Sequence, residues 1–376
     1  MLGYVCKYTP MELFTAMDTD IKRLEPSVTD FNHADTLMHA NICSYTKAVL
    51  EDVMENDYEG VILTTCCDSI RRLYDTLKSQ FPDKFFFLLD IPRKVNDFAV
   101  TLYARQLREM ISSYEAFSGK TFDEARFVSM MQNNAALEKA EKVKENANAK
   151  ASALNIGIMG ARCNNEIRQL LTDHGVNVLF DLTCTGLGRN FSVSKEAPLT
   201  SYAAALLNQI PCMRMLKAAS RQNLVDGFTD RLDGILYHTV KFCDSYSYEY
   251  ADFKEHLDVP ILLIETDSTK QCAGQVRTRV EAFIEELQVK KGLSLTGKKI
   301  ISKRKGDTLY TLGIDSGSTS TNAVILDENQ KIRAFSVVRT GAKSSQSADA
   351  ALADVLKKAG LTRDDISLIV STGYGR

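Results

Sequence analysis

The sequence has no excess of either charge, since 46 Lys and Arg stand against 48 Asp and Glu and give a formal net charge of -2. This balance offers no electrostatic basis for binding nucleic acid or an anionic membrane surface. With only 20 Gly and 7 Pro in 376 residues, the chain is neither collagen-like nor a disordered Pro/Gly-rich polymer. Its longest apolar runs are the length of a strand, so we predict no membrane span.

The sequence also lacks a CxxC pair, which argues against a zinc ribbon or a thioredoxin-type motif. Its first residues show no basic region followed by an apolar core, so we expect no signal peptide and a cytoplasmic protein. Nine cysteines are present, but a reducing compartment argues against a disulfide framework. The roles that remain for them are buried structural thiols, a catalytic thiol, or ligands of a metal cluster.

Short apolar runs alternate with segments of helical periodicity, a pattern that predicts parallel α/β layers. The predicted strands are 3–8, 60–65, 85–90, 155–160, 177–183, 234–240 and 261–265. The predicted helices include 44–56, 69–81, 164–175 and 274–288. Because 376 residues exceed the size of one typical domain, we expect two or three domains.

Changes in pattern and composition divide the chain into five segments. In order, we predict a first α/β cluster-binding domain, a helical connection, a second α/β cluster-binding domain, a basic linker and the start of an ATPase domain. These segments are 1–95, 96–153, 154–290, 291–307 and 308–376. The last segment stops one strand after a helix, so we expect it to be the first part of a longer domain.

Cysteines collect where the predicted strands end. Those that follow a strand directly or within a few residues are Cys66, Cys67, Cys163, Cys184 and Cys243. Ligands of open parallel sheets bind beyond the carboxyl ends of the strands. A single buried thiol at such a place is common, but independent burial does not predict that five collect at one edge. A cubane iron–sulfur cluster needs three or four thiolates, and Cys43, which precedes a predicted helix, adds a further candidate because helix N-termini favour thiolate.

Several of these cysteine contexts occur together, and in the same order, in a known family. The stretches are YVCKYTPMEL (4–13), NICSYTKA (41–48), TTCCDSIRRLYD (64–75), LTCTG (182–186), FCDSY (242–246) and LIETD (263–267). Over about residues 1–290 the chain resembles the 2-hydroxyacyl-CoA dehydratase family, which includes benzoyl-CoA reductase subunits and double-cubane-cluster reductases. The resemblance implies two flavodoxin-like domains that face each other across a 4Fe–4S cluster.

The resemblance also implies which cysteines hold metal. The first cluster falls to Cys43, Cys67 and Cys243, with Cys66 as the alternative to Cys67. In the double-cubane branch, sulfide joins two 4Fe–4S clusters held by six cysteines of one subunit.

Three further cysteines are similar to the additional positions of that double-cubane branch, namely Cys163, Cys184 and Cys212. Cys163 stands two residues later than the pattern places it, and Cys6 is the possible substitute. We expect a structural role for Cys272.

The last segment has its own resemblance. The stretches LGIDSGSTSTNAVILD (312–327) and LIVSTGYGR (368–376) resemble the start of the ATP-dependent activator of these enzymes, in the acetate kinase/sugar kinase/actin-type superfamily. In that family a DxGST turn contacts the phosphates of ATP and its Mg²⁺. The matching residues here are Asp315, Gly317, Ser318 and Thr319. Asn322 stands where the family often has Lys, and a plain hairpin turn is the alternative reading.

The family resemblance implies that the activator uses ATP to pass one electron to the cluster, which then reduces a substrate. The substrate is an acyl-CoA thioester in the dehydratase branch, a lyase reaction, and another small molecule in the reductase branch. Expected partners are a second dehydratase-like subunit, or a second copy of the chain, and the activator domain. The alternatives are a non-catalytic electron carrier or assembly module, and a cluster-free α/β ligand-binding protein. The sequence singles out no catalytic residue.

Overall fold

The computed structural model describes residues 1–133, 154–163, 165–186, 191–217, 219–269, 273–293, 310–317, 319–340 and 344–373. The chain divides into two compact units, Met1–Leu293 and Ser294–Arg376. Among the described residues, no helix is both long and apolar enough to cross a membrane.

The first half of unit Met1–Leu293 is built on a four-stranded parallel sheet. Its strands are β1 (Leu2–Tyr4), β2 (Ile21–Arg23), β3 (Gly60–Thr64) and β4 (Phe85–Leu89). Their order is β2-β1-β3-β4, with every neighbouring pair parallel. The helices are α1 (Met11–Ala16), α2 (Asn32–Leu37), α3 (Ser44–Glu55), α4 (Asp68–Gln80) and α5 (Asp97–Ser118), and α6 is described over 124–133. This strand order is the flavodoxin-like one.

The second half repeats the same architecture. Its strands are β5 (Asn155–Gly160), β6 (Asn177–Asp181), β7 (Gly234–Val240) and β8 (Ile261–Thr266). They are all parallel and have the order β6-β5-β7-β8. The helices are α7 (Asn165–Asp173), α8 (Pro198–Asn208), α9 (Ala219–Asp226), α10 (Asp244–His256) and α11 (Ala273–Lys290). The predicted pair of parallel α/β sheets is therefore confirmed.

The central strands show why these segments form parallel sheets. All five residues of β3 and all seven residues of β7 are buried, as expected for strands covered by helices on both faces. At Gly60, a Cβ atom would lie 1.9 Å from the backbone oxygen of Phe85. Only glycine therefore lets β3 begin this close to β4.

Helices join the two halves of this unit. Helix α5 is preceded by its N-cap residue Asn96, whose side chain accepts a hydrogen bond from the Ala99 amide, and is followed by Gly119 at φ 71°. Its buried face contacts α8, and one hydrophobic cluster includes residues of both sheets. Of the predicted helical connection at 96–153, residues 134–153 lie outside the described residues. Most of the predicted linker at 291–307 also lies outside them.

The other unit, Ser294–Arg376, contains a third sheet. Its strands are β9 (Tyr310–Ser316), β10 (Ser320–Leu326), β11 (Ile332–Arg339) and β12 (Ile366–Gly373), in the order β11-β10-β9-β12. Strands β9, β10 and β11 are antiparallel, and β12 runs parallel to β9. Helix α12 (Ser344–Ala359) packs on this sheet, and the core includes Ile325 and Val355.

Candidate metal centre

One cavity lies at the carboxyl ends of both parallel sheets of unit Met1–Leu293. In each sheet the strand order reverses beside the first strand, at β1/β3 and at β5/β7, which is the position where open α/β sheets bind ligands. The residues that follow these four strands line the same cavity. Its lining residues include Cys6, Lys7, Cys43, Cys66, Cys67, Arg162, Cys184, Cys212, Arg214, Cys243 and Tyr246.

Three of these cysteines occupy equivalent places on different helices. Cys43, Cys67 and Cys243 are the N-cap residues of α3, α4 and α10. Their thiols lie close enough for the charge of each to act on the others. Burial raises the pKa of Cys43 to about 11, so desolvation outweighs the helix N-terminus that we expected to favour thiolate. A bound metal would reverse this preference, because coordination removes the thiol proton.

A second group consists of Cys6, Cys184 and Cys212. Cys6 follows β1, Cys184 follows β6, and Cys212 lies in the loop after α8. The Sγ atoms of Cys184 and Cys212 lie 3.1 Å and 3.3 Å from the hydroxyl of Tyr246, and Cys6 lies close enough for both thiols to act on its pKa.

Cys66 stands between the two groups. Its thiol is hydrogen-bonded to Cys6 of the second group and to Cys67 of the first. The contact with Cys66 lowers the pKa of Cys6, and the same contact raises the pKa of Cys66 to about 12.

The structure brings Cys6, and not Cys163, to this cavity. Strand β5 ends at Gly160, which has φ 107° and would clash with the backbone oxygen of His238 if it carried a Cβ atom. After this turn Arg162 lines the cysteine cavity, whereas Cys163 packs in the other hydrophobic cluster of the second sheet, 1% exposed. Burial raises the pKa of Cys163 to about 12. Cys272 lies outside the described residues.

Three basic side chains surround the thiols. The guanidinium of Arg162 stacks 3.8 Å above the ring of Tyr45 and donates to the backbone oxygen of Val5. Lys7 donates to a backbone oxygen at 2.6 Å, and burial lowers its pKa. Arg214 donates to cysteine sulfurs. The cavity therefore combines soft sulfur donors with positive charge.

The donors that line the cavity are mainly sulfur atoms, the ligand type that holds iron–sulfur clusters. Across the described ranges, no three His, Cys, Asp or Glu side chains are grouped tightly enough to hold one metal ion. A 4Fe–4S cluster spaces its ligands more widely, because each thiolate binds a different iron. Among the residues that the structure describes, Arg214 Nε and Thr46 Oγ1 are buried polar atoms without a hydrogen-bond partner. Both residues line the cavity. Buried polar atoms normally have partners, so these two mark room for a polar or charged group.

The third sheet contains the predicted phosphate turn. Asp315 and Gly317 lie at the end of β9, and Thr319 precedes β10. The Gly317 amide donates to the backbone oxygen of Ser320 at 2.9 Å, which closes the hairpin. Asp315 pairs with Asn322 across the strands, and both line one cavity. Ser318 lies outside the described residues.

Sequence reasoning missed the basic and phenolic residues of the cysteine cavity, namely Lys7, Arg162, Arg214 and Tyr246. A signal existed for Arg162, which follows β5 by two residues as Cys6 follows β1. No strand precedes Arg214 directly, so its place was not readable from the pattern.

Two family models match separate parts of the chain. The family model described as 2-hydroxyglutaryl-CoA dehydratase, D-component, matches residues 6–139 and 130–287, so the chain belongs to this family of 2-hydroxyacyl-CoA dehydratase components. Residues 312–376 match the BadF/BadG/BcrA/BcrD ATPase family, whose fold is actin-like.

Individual relatives divide between the two parts of the chain. The beta subunit of (R)-phenyllactyl-CoA dehydratase from Clostridium sporogenes is 23% identical over 76% of this chain and 91% of its own length. The activator of lactoyl-CoA dehydratase from Anaerotignum propionicum is 48% identical over 18% of this chain. The chain spans only 26% of the length of that activator.

A solved structure, (R)-2-hydroxyglutaryl-CoA dehydratase component A from Acidaminococcus fermentans, is 38% identical over 18% of this chain and 26% of that chain, with a TM-score of 0.17.

Proposed function

We propose that this chain is the iron–sulfur component of an ATP-driven, low-potential electron-transfer enzyme of the 2-hydroxyacyl-CoA dehydratase type. The observation that carries the proposal is the convergence of seven cysteines from both parallel sheets on one cavity. Buried structural thiols have no reason to share a cavity with three basic side chains, whereas anionic cluster thiolates do.

We assign the ligands by the two groups of three thiols. Cys43, Cys67 and Cys243 would hold one 4Fe–4S cluster at three helix N-termini, where the helix dipoles favour negative charge. A second 4Fe–4S cluster, joined to the first by sulfide as a double cubane, would use the other group, Cys6, Cys184 and Cys212. Cys66 contacts both groups and belongs to neither.

A bound cluster supplies one-electron reducing power that no amino-acid side chain has. The chain has three tasks toward it. Its cysteines hold the irons, and its buried aromatic residues keep water from the sulfurs. Lys7, Arg162 and Arg214 offset the negative charge. Three thiolates for four irons would leave one iron position open to substrate or to bridging sulfide, by the logic of open catalytic metal sites.

Membership in this family supports acyl-CoA thioesters or other small molecules as substrates and a second dehydratase-like subunit, or a second copy, as partner. The match to activator ATPases supports an activator as the electron donor. We assign Asp315, Gly317, Ser318 and Thr319 to contacts with the phosphates and Mg²⁺ of ATP in the complete activator domain.

The test is the content of iron and acid-labile sulfide per chain, measured on protein purified without oxygen. About eight irons per chain would support the double cubane, whereas about four would leave one 4Fe–4S cluster. Near zero, after reconstitution with iron and sulfide, would contradict the proposal and leave an α/β protein with buried thiols.

Two matched variants test the ligand assignment. Cys6→Ser should lower the iron content about twofold, because one cluster loses a ligand. Cys163→Ser removes a buried thiol outside the cavity and should keep the iron of the unmodified chain. The reverse result would return Cys163 to the ligand set.

A further inference from the structure

One arginine contacts both groups of cysteines. The Nη2 atom of Arg214 lies 3.4 Å from the Sγ atom of Cys243, which belongs to the helix N-cap group. Its Nη1 atom lies 3.8 Å from the Sγ atom of Cys212, which belongs to the other group. The planar fork of a guanidinium presents donors in fixed directions, so one side chain can serve two sulfurs.

The surroundings hold Arg214 in this place. The guanidinium lies 5.2 Å from the centre of the Tyr246 ring. The backbone oxygen of Arg214 accepts a hydrogen bond from the side chain of Arg93. The same side chain also donates to the backbone oxygens of Thr65 and Cys66. Arg93 therefore connects the loop of Arg214 to the loop that carries Cys66 and Cys67. The position of Arg214 is determined by contacts to both halves of the unit.

The Nε atom of Arg214 takes no part in the two sulfur contacts. Within the described residues, its buried Nε atom has no hydrogen-bond partner. A buried donor without a partner is costly, and a negatively charged cluster between the cysteine groups would offer it acceptors. The orphaned donor is independent of the two sulfur contacts and supports the same conclusion.

We propose that Arg214 is a positioning residue that contacts both 4Fe–4S clusters through Cys212 and Cys243 and makes each of them easier to reduce. The inference rests on the proposed function, because it requires the clusters. Reduction adds an electron to an already negative cluster, and a fixed positive charge close by stabilises the reduced form. Hydrogen bonds to cluster sulfurs act in the same direction.

Tyr246 provides a comparison within the same site. Its hydroxyl contacts the sulfurs of Cys184 and Cys212, and both cysteines belong to the second group. The residue is 1% exposed, and its backbone oxygen accepts a hydrogen bond from Tyr237. We expect Tyr246 to affect one cluster, and Arg214 to affect two.

The experiment is a redox titration of the iron-loaded full chain, followed by electron paramagnetic resonance. Arg214→Gln keeps a polar side chain but removes the charge, and it should lower the midpoint potential of both clusters. At a fixed electrode potential, the ratio of reduced to oxidised cluster should fall about tenfold, which is about 59 mV for one electron. Tyr246→Phe should lower the potential of one cluster only.

Two further variants complete the design. Arg214→Lys keeps the charge and should restore most of the lost potential. Arg105→Gln removes an exposed charge on α5 that pairs with Glu109, and it should leave both potentials unchanged. Rescue by lysine separates an effect of charge from a merely structural role.

Each remaining outcome has a definite meaning. If Arg214→Gln binds iron and keeps both potentials, the inference is wrong. A shift of only one potential would overturn the bridging role. If neither Arg214 variant takes up iron while both melt at the temperature of the unmodified chain, Arg214 serves cluster assembly, which overturns the tuning role. An unmodified chain without iron would contradict the proposed function itself.

Discussion

The two parallel sheets of unit Met1–Leu293 share one strand order but contribute different chemistry to the cavity between them. Two residues after its first strand, the first sheet has Cys6, whereas the second sheet has Arg162. Three residues after the corresponding central strands, both sheets have an N-cap cysteine, Cys67 and Cys243. Repetition of the topology therefore preserves the places of functional residues, and it preserves the residue type after the central strand but not after the first strand.

The difference has a physical reason. A cavity that holds many thiolates accumulates negative charge, and a second set of identical ligands would increase the repulsion. In this chain the first sheet and its connections supply four cysteines and Lys7, and the second sheet and its connections supply three cysteines with Arg162 and Arg214. The first half provides more of the sulfur donors, and the second half provides more of the opposing charge.

The largest expected effect concerns the cysteine doublet, Cys66 and Cys67. The second sheet has a single cysteine, Cys243, at the matching place, so only one residue of the doublet corresponds to it. Cys67→Ser should lower the iron content of the anaerobic chain at least about twofold, since Cys67 belongs to the N-cap group. Cys66→Ser should keep the iron content of the unmodified chain. Iron analysis of the two variants side by side checks this, and an equal loss in both would contradict the assignment of Cys67 alone.

The half of the unit that contains the second sheet has a buried ion pair between Arg221 and Glu249. Arg221, 1% exposed, donates through Nη2 to Glu249 at 3.0 Å and through Nη1 to the backbone oxygen of Leu182 at 2.8 Å. Arg221→Ala leaves the Glu249 charge buried without its cation, while the Tyr237 hydroxyl still donates to it, so the free energy of unfolding should fall by about 3–5 kcal/mol. Urea denaturation measures this change.

An exposed ion pair serves as the control for this prediction. Arg277→Ala breaks an exposed contact with Glu281 on α11 and should change the free energy of unfolding by less than about 1 kcal/mol. Equal effects of the two substitutions would show that the buried network does not support the second sheet.

The smallest expected effect is a pH dependence specific to the second sheet. His238 is the fifth residue of β7, where β3 has Thr64. Burial lowers the pKa of His238 from 6.5 to about 4, so the unfolded chain binds a proton at higher pH than the folded chain does. Stability is therefore complete above pH 6.5 and should fall by about 3 kcal/mol between pH 7 and pH 4 through this group.

The measurement is urea denaturation across this pH range for the unmodified chain and two variants. His238→Gln should remove this part of the pH dependence. His174→Gln, at an exposed position, should retain it. If all three chains lose stability in parallel as the pH falls, His238 is not the responsible group.

Much of the fold could be predicted because its strands are buried on both faces. The sequence predicts β5 and β7 with the boundaries that the structure shows, since each contains a short apolar run that is followed by polar or turn residues. Strand β2 (Ile21–Arg23) was not predicted. It is a three-residue edge strand with two basic residues, and so short a segment has no recognisable periodicity.

The candidate site was less predictable than the fold. Cys66, Cys67, Cys184 and Cys243 follow strands, so the sequence could place them at the edge where ligands bind. Cys163 follows a strand as well, yet the turn at Gly160 directs it to the opposite side. Cys6 was missed as a strand-end residue because the predicted strand at 3–8 is longer than β1. An error of a few residues in a predicted strand end therefore changes which side chains the sequence predicts to reach the cavity.

The sequence by itself determined seven of the eight described parallel strands, the family to which the chain belongs and the supply of thiols. These follow from local apolar patterns and from motifs read in order along the chain. Only the tertiary structure decided which thiols share a cavity and which cations accompany them. Arg214 reaches Cys212 and Cys243 through side-chain contacts between distant loops, and such contacts depend on how the two sheets pack rather than on any spacing along the sequence.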